Sequence, residues 1–365
     1  MEFFHTHISE KSIALANKVL KSGWLSEGQM VKAFEESLAS TLGLTNPVAV
    51  NSGTSALHLA LVLADVQPGD EVILPAQTFV ATGLAILMQF AKPVFADIQY
   101  KTGNIDPNSI REKITEKTKA IMAVHWGGYP CDMDEINNIA KEYNLAVIED
   151  AAHALGATYK GQPIGSISRF TAFSFQAIKH LTTGDGGALC CSDEFNYHKA
   201  KTRRWFGIDR ASSKPSLLGE REYDIAEVGY KYHLNDLAAA VGLGNLEDFL
   251  SRVNRRREIG NIYRTELKDI QGVELLDYGD DQESAYWLFT ILVENREGFI
   301  KNFQEKGIPL SVVHLRIDNN SVFGGITPNL LNQEKFNKHQ VSIPIHENLS
   351  DEEINSVVKS IKSGF

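Results

Sequence analysis

The chain has 365 residues, 43% of them hydrophobic and 22% charged, a length that suggests two domains and a core large enough to need no staples. Lys and Arg number 36 against 46 Asp and Glu, and the resulting charge of −10 argues against a nucleic-acid surface, which relies on clustered cations. Three cysteines give no disulfide framework or paired metal spacing, no apolar run approaches the ~20 residues that span a membrane, and Met1-Glu2-Phe3-Phe4-His5 lacks a signal-peptide pattern, so a cytoplasmic protein is expected.

From Pro47 to Asp150 short β-rich runs alternate with amphipathic ones. The runs 47–50, 71–74, 93–96, 120–124 and 146–148 read as strands, and 56–64, 80–88 and 133–143 as helices. That alternation predicts an α/β layer with a mainly parallel sheet, whose binding residues gather at the carboxyl ends of strands. Asn51 to Thr54, His125 and Asp150 fall at such ends. His125 opens the turn His125-Trp126-Gly127-Gly128-Tyr129-Pro130 and reads as structural rather than catalytic. Two further strands, 170–174 and 188–192, flank a loop holding Lys179. From Leu234 to about Leu267 the apolar positions Leu237, Val241, Leu246, Leu250, Val253, Ile259 and Tyr263 predict long helical structure, with Arg252, Arg255, Arg256 and Arg257 as one solvated face. A smaller α/β domain follows: strand 286–293, helix 296–306, strand 310–313 and a last helix opened by the capping box Ser350-Asp351-Glu352-Glu353. The expected division is 1–247 for a large domain and 248–365 for a small one.

The segment Ser174-Phe175-Gln176-Ala177-Ile178-Lys179-His180-Leu181-Thr182-Thr183-Gly184-Asp185-Gly186-Gly187 sets one lysine among turn residues, soon after Glu149-Asp150. A lone lysine is by default a surface group. Its neighbours reverse that reading. A free lysine amine is neutral in only about one molecule in a thousand at pH 7. Condensed with the aldehyde of pyridoxal phosphate (PLP) it holds that cofactor, and a carboxylate at the pyridinium nitrogen keeps the ring an electron sink. Lys179 and Asp150 suit these roles. Ser52-Gly53-Thr54-Ser55 opens a helix after a strand, where open N–H groups and the helix dipole bind phosphate. No nucleotide loop, dinucleotide loop, nucleophile elbow or zinc helix is found, His58 reads as a structural histidine in an apolar helix, and metal catalysis has no support.

The ordered blocks Ser22-Gly23-Trp24-Leu25-Ser26-Glu27-Gly28, Asn51-Ser52-Gly53-Thr54-Ser55-Ala56-Leu57-His58-Leu59, Pro75-Ala76-Gln77-Thr78-Phe79-Val80-Ala81-Thr82, Glu149-Asp150-Ala151-Ala152-His153-Ala154, the lysine segment and Gly229-Tyr230-Lys231-Tyr232-His233-Leu234-Asn235-Asp236 cover nearly the whole chain. In them the chain resembles the DegT-type nucleotide-sugar aminotransferases, PLP enzymes of the aspartate-aminotransferase fold (fold type I). The resemblance implies that Gly53, Thr54, Ser55 and Ser174 hold the phosphate, Phe79 stacks on the ring and Asp150 pairs with the ring nitrogen. Lys179 forms the Schiff base, and His153 stands near the ring hydroxyl, where many relatives have glutamine. An asparagine that reaches the partner subunit's phosphate in many relatives is replaced here by Lys231 or His233. Relatives with histidine at the lysine position act as sugar dehydratases; counting back from Gly184 gives Lys179, with His180 beside it, which favours a transaminase.

The function so implied is transfer of an amino group from L-glutamate, through the pyridoxamine form (PMP), to a keto sugar that is carried on a nucleotide, by a homodimer with shared sites. Arg210, His314 and Arg316 lie in segments that line the sugar side in relatives, so they are the candidate substrate contacts. The alternatives weighed are a PLP-dependent sugar dehydratase and a non-catalytic regulator; the intact Lys179, Asp150 and Ser174 set argues against the regulator.

Overall fold

Seven strands form one sheet in the order Pro47–Val50, Gly187–Cys191, Phe170–Ser174, Ala146–Asp150, Thr118–Val124, Glu71–Pro75, Lys92–Ala96. Within it Gly187–Cys191 runs against its two neighbours and every other pairing is parallel. The computed structural model describes residues 1–209 and 214–364. Because both faces of the sheet are covered, its strands are nearly continuous apolar runs, and alternate residues enter opposite cores. Ala49, Ile73 and Ile121 join the core built with helices Gln29–Leu42 and Met133–Tyr143, whereas Val48, Val50, Val72, Leu74 and Met122 join the one under helices Gly53–Leu63 and Val80–Met88.

A second, antiparallel sheet has Phe289–Val293 between Val273–Leu275 and Gln340–Ile343. Helices Phe249–Leu267, Arg296–Glu305 and Asp351–Lys362 close its core through Ile259, Tyr263, Phe299, Phe303, Ile354 and Val357. The capping box is formed: the Glu353 N–H donates to Ser350 Oγ at 3.2 Å, and the Ser350 N–H to the Glu353 carboxylate at 3.0 Å. The α/β class and mainly parallel mixed sheet are therefore as the sequence implies.

Four details differ from the sequence reading, one being that the strand expected over 286–293 begins only at Phe289. The stretch 234–267 is two helices, Asp236–Asn245 and Phe249–Leu267. The first is placed by Gly244, where a Cβ would lie 2.5 Å from Ser12 Oγ, so helix Glu10–Ser22 can press close. The run 310–313 makes only the bridge between Ser311 and Ser342 rather than a strand. Arg252 and Arg256 are buried, not solvated. Arg252 donates to the carbonyls of His180 and Asn245, both at 2.7 Å, and Arg256 lies 2.8 Å from Glu347 while donating to the Ile345 carbonyl at 3.0 Å. Charge runs read as solvated faces because their partners, here Glu347, are distant in sequence. Removing one partner of such a buried pair leaves the other uncompensated, so Arg256→Met is expected to lower unfolding free energy by about 3 kcal/mol. Urea titration followed by circular dichroism checks this, and an unchanged midpoint would show that the pair contributes nothing.

Candidate active site

The carboxyl ends of the parallel strands open into a cavity of ≈ 370 Å³. Ser52, Gly53, Thr54, Phe79, Asp150, His153, Ser174, Lys179 and His314 line it, so most of the candidate residues converge there. At one wall helix Gly53–Leu63 begins. Ser52 caps it by accepting from the Ser55 N–H at 3.0 Å, which leaves the Gly53 and Thr54 amides as open donors at the positive end of the helix. Position 53 packs tightly, since a Cβ there would lie 3.0 Å from Ser174 Cβ and would push that residue back by a few tenths of an ångström. The close approach brings the Ser174 hydroxyl beside the open amides, making a cradle for one dianionic group.

Asp150 ends its strand on the cavity floor. Thr82 donates to its Oδ2 at 2.7 Å and the Ala152 N–H to its Oδ1 at 3.2 Å. Thr78 lies 2.6 Å from Thr82 and can donate to it, leaving the single Thr82 proton for Asp150. Burial pushes the Asp150 carboxyl up, against the pull of these donors and of Lys179. Behind it, buried His125 accepts from the Cys131 N–H at 3.0 Å through Nδ1, so its Nε2 proton faces Glu149 at 2.8 Å. Both oxygens of Glu149 are occupied, the other by Ser168 and Thr171, and this network supports the floor without lining the cavity. His58 likewise spends its ring on Tyr232 and Gln89.

Lys179 faces Asp150 across the cavity, and burial pulls its ammonium down to about 7, the Asp150 charge opposing. A group with that value is about half neutral at pH 7, against one in a thousand for a free amine. Capture of PLP by the cofactor-free protein is therefore expected to speed up with pH through about 7 and then level. A rate that climbs steadily toward pH 10 in stopped-flow absorbance would contradict a desolvated amine.

His153 is buried, and its Nδ1 has no partner among the described residues. Burial holds its imidazolium well below the usual range, and that of His314 at about 4, so both are neutral hydrogen-bonding rings near neutral pH. Phe79 is 52% exposed at the mouth, tilted against His314 with ring centroids 5.0 Å apart, and its uncovered face can take a flat ring. An anion cradle, a buried carboxylate, a neutralisable lysine, an unpartnered imidazole and an open aromatic face together fit a pyridine aldehyde carrying a phosphate.

The remaining candidates stand elsewhere. Ser55 gives its hydroxyl to Asn51 Oδ1 at 2.6 Å, inside the helix cap. Lys231 lies 4.4 Å from the Trp205 ring centroid and His233 packs on that same ring at 4.2 Å; neither lines the cavity. Arg316 is buried in a two-pronged pair with Asp318, both contacts 2.6 Å, so its guanidinium is committed within its own loop. Arg210 lies outside the described residues. Sequence reasoning passed over Thr82, whose only local signal is its i+4 spacing from Thr78, and Trp287, which reaches the cavity from 108 residues beyond Lys179 with no local signal.

Comparison with known proteins finds similarity along nearly the whole chain. The sequence profile of the DegT/DnrJ/EryC1/StrS aminotransferase family matches residues 6–362. GDP-perosamine synthase of Escherichia coli O157:H7 is 32% identical over 375 residues, covering 99% of this chain and 98% of that protein. The sugar aminotransferase CalS13 from Micromonospora echinospora is 35% identical, with a TM-score of 0.95 and 100% of both chains covered. The PLP form of Spr1654 from Streptococcus pneumoniae is 31% identical, with a TM-score of 0.91 over 100% of this chain and 98% of that one.

Proposed function

The chain belongs to the DegT/DnrJ/EryC1/StrS aminotransferase family and is a PLP-dependent sugar aminotransferase, and on that premise we propose that it takes the amino group of L-glutamate and delivers it to a nucleotide-linked 3- or 4-keto-deoxy sugar. The observation that carries this reading is the meeting of Lys179 and Asp150 in one cavity below the open helix amides at Gly53 and Thr54. When bound, PLP draws electrons from the bond between the donor's α-carbon and its hydrogen. The protein's residues do the rest. The Gly53 and Thr54 amides with Ser174 hold the phosphate, Phe79 covers the ring and Asp150 keeps a negative charge at the ring nitrogen. Lys179, as a free amine, would take the donor's α-proton and give it back, as general base and then acid. His153, held neutral by burial, supplies one hydrogen bond at the ring hydroxyl. Loading the protein with PMP and offering a panel of nucleotide-linked 3-keto and 4-keto sugars tests the acceptor. Return of the PLP spectrum with one of them identifies it, and a response to keto acids alone would overturn the sugar reading.

We assign Lys231 and His233 to the partner subunit's site in a two-fold dimer, with the whole acting in the cytoplasm, where three buried thiols stay reduced. Support for the dimer comes from apolar side chains left exposed on helix Glu10–Ser22 and the turn after it, Ile13, Leu20, Trp24 and Leu25. Shared sites have a distinctive consequence. Mixing inactive Lys179→Ala protein with an impaired Lys231→Ala/His233→Ala variant is expected to restore up to half the activity per mixed dimer, because one site then carries both lesions and the other none. No recovery after verified subunit exchange would assign the two residues to their own subunit.

A further inference from the structure

We infer that Trp287 is a positioning residue for Lys179: its indole anchors the peptide just before the lysine, and its ring receives the lysine ammonium whenever that amine is not bonded to the cofactor. The inference rests on the role proposed above for Lys179 and adds a residue that the lysine works against. Trp287 is 1% exposed, and its Nε1–H donates to the Ile178 carbonyl at 3.0 Å. The Nζ of the next residue, Lys179, lies 3.6 Å from the centroid of the same ring. One side chain therefore fixes both the backbone and the head group of the lysine. The ring is itself held by His153, stacked at 3.8 Å and 12°, and by Phe4 at 5.1 Å and 23°.

The turn His125 to Pro130 explains how the indole arrives from the second sheet's side. The Ala285 N–H donates to the Gly128 carbonyl at 3.0 Å and the Leu288 N–H to the Gly127 carbonyl at 3.1 Å, so the backbone around Trp287 docks on the two glycines. A Cβ at Gly128, whose φ is +98, would lie 3.1 Å from the Trp287 nitrogen and 2.7 Å from the His153 carbonyl. Glycine at position 128 is thus required by close backbone approach to the chain that carries the indole.

The groups around Lys179 make the ring matter. Asp150 faces it with a negative charge, Asp185 lines the same cavity, and His153, His180 and His314 are held neutral by burial. Burial works against the ammonium. The negative face of the indole favours the ammonium over the neutral amine, and it does so without a carboxylate that would compete for the proton. Lys179 can then keep the α-proton it has taken until it is returned, yet still release it. Trp287 is in this sense the resting place of the acid form.

The test weakens the ring face without changing its shape. Tryptophan bearing one to four ring fluorines is installed at position 287 alone, with circular dichroism confirming the fold. In the cofactor-free protein the pH dependence of Lys179 acetylation by acetic anhydride, read by mass spectrometry of its peptide, gives the midpoint of the amine. Loss of the cation–π contact disfavours the ammonium, so the midpoint is expected to fall stepwise with fluorine number, by on the order of one pH unit over the series, or tenfold in the ratio of ammonium to amine. A midpoint that is unchanged or rises across the series overturns the inference. Because the readout needs no cofactor, its failure is distinct from failure of the Lys179 assignment, which the Lys179→Ala variant decides separately.

Discussion

Lys179→Ala is expected to lose transamination altogether while the protein stays folded and still takes up PLP. Lys179 is the one lysine lining the cavity among the described residues, so no second amine stands ready to bond the aldehyde. The holding contacts proposed at Gly53, Thr54, Ser174 and Asp150 are untouched by the change, and removing a half-buried cation relieves the penalty of its burial rather than opening the core. Borohydride treatment followed by peptide mapping separates this from a structural defect. The wild-type protein should yield a reduced PLP adduct on Lys179, and the variant none on any lysine. An adduct persisting on another lysine, or measurable turnover in the variant, would remove Lys179 from the role. Retained, non-covalent uptake of PLP with lost turnover is also a pattern that a lesion in folding cannot produce.

Lys179, Asp150, Gly53, Thr54 and Ser174 were legible in the sequence because each carries a local signal. Small residues open a helix after a strand, an acidic pair ends an apolar run, and glycines flank a lysine turn. The strands were legible for a similar reason: a run buried on both faces is continuously apolar, so 47–50 and 170–174 match the structure to the residue. What escaped depends on which distant segments lie side by side. Thr82 meets Asp150 because Glu71–Pro75, Thr118–Val124 and Ala146–Asp150 are successive neighbours in the sheet, an order that spacing along the chain does not contain. Trp287 enters where the Gly127 and Gly128 carbonyls accept from the flanking Leu288 and Ala285 amides, a contact that spacing along the chain does not contain. The buried guanidiniums of Arg252 and Arg256 looked solvated for want of Glu347, and the Arg316 fork looked available although Asp318, two residues on, takes both of its prongs.

The floor of the site is arranged so that one charge can be removed with little else disturbed, and this gives Asp150→Asn its diagnostic value. Asparagine has the shape of aspartate. Its Oδ1 can keep the Ala152 N–H, and Thr82, which lies 3.1 Å from the Phe79 carbonyl, can donate there instead and accept from the new amide. The fold and the affinity for PLP should therefore survive. What disappears is the negative charge proposed to hold a proton on the ring nitrogen, and an opposite charge in contact is worth about 1–3 pKa units, each a factor of ten in the populations of the two protonation states. Turnover is expected to fall by on the order of 10–10³, with kcat carrying the loss. A second effect has the same origin. Asp150 opposes the burial that pulls the Lys179 ammonium down to about 7, so without it the lysine should titrate lower still, and PLP capture should level at a more acidic pH than in the wild type. Turnover within a few-fold of wild type, or a capture profile that does not move, would mean that Asp150 is a structural floor residue and that the ring nitrogen finds its charge elsewhere.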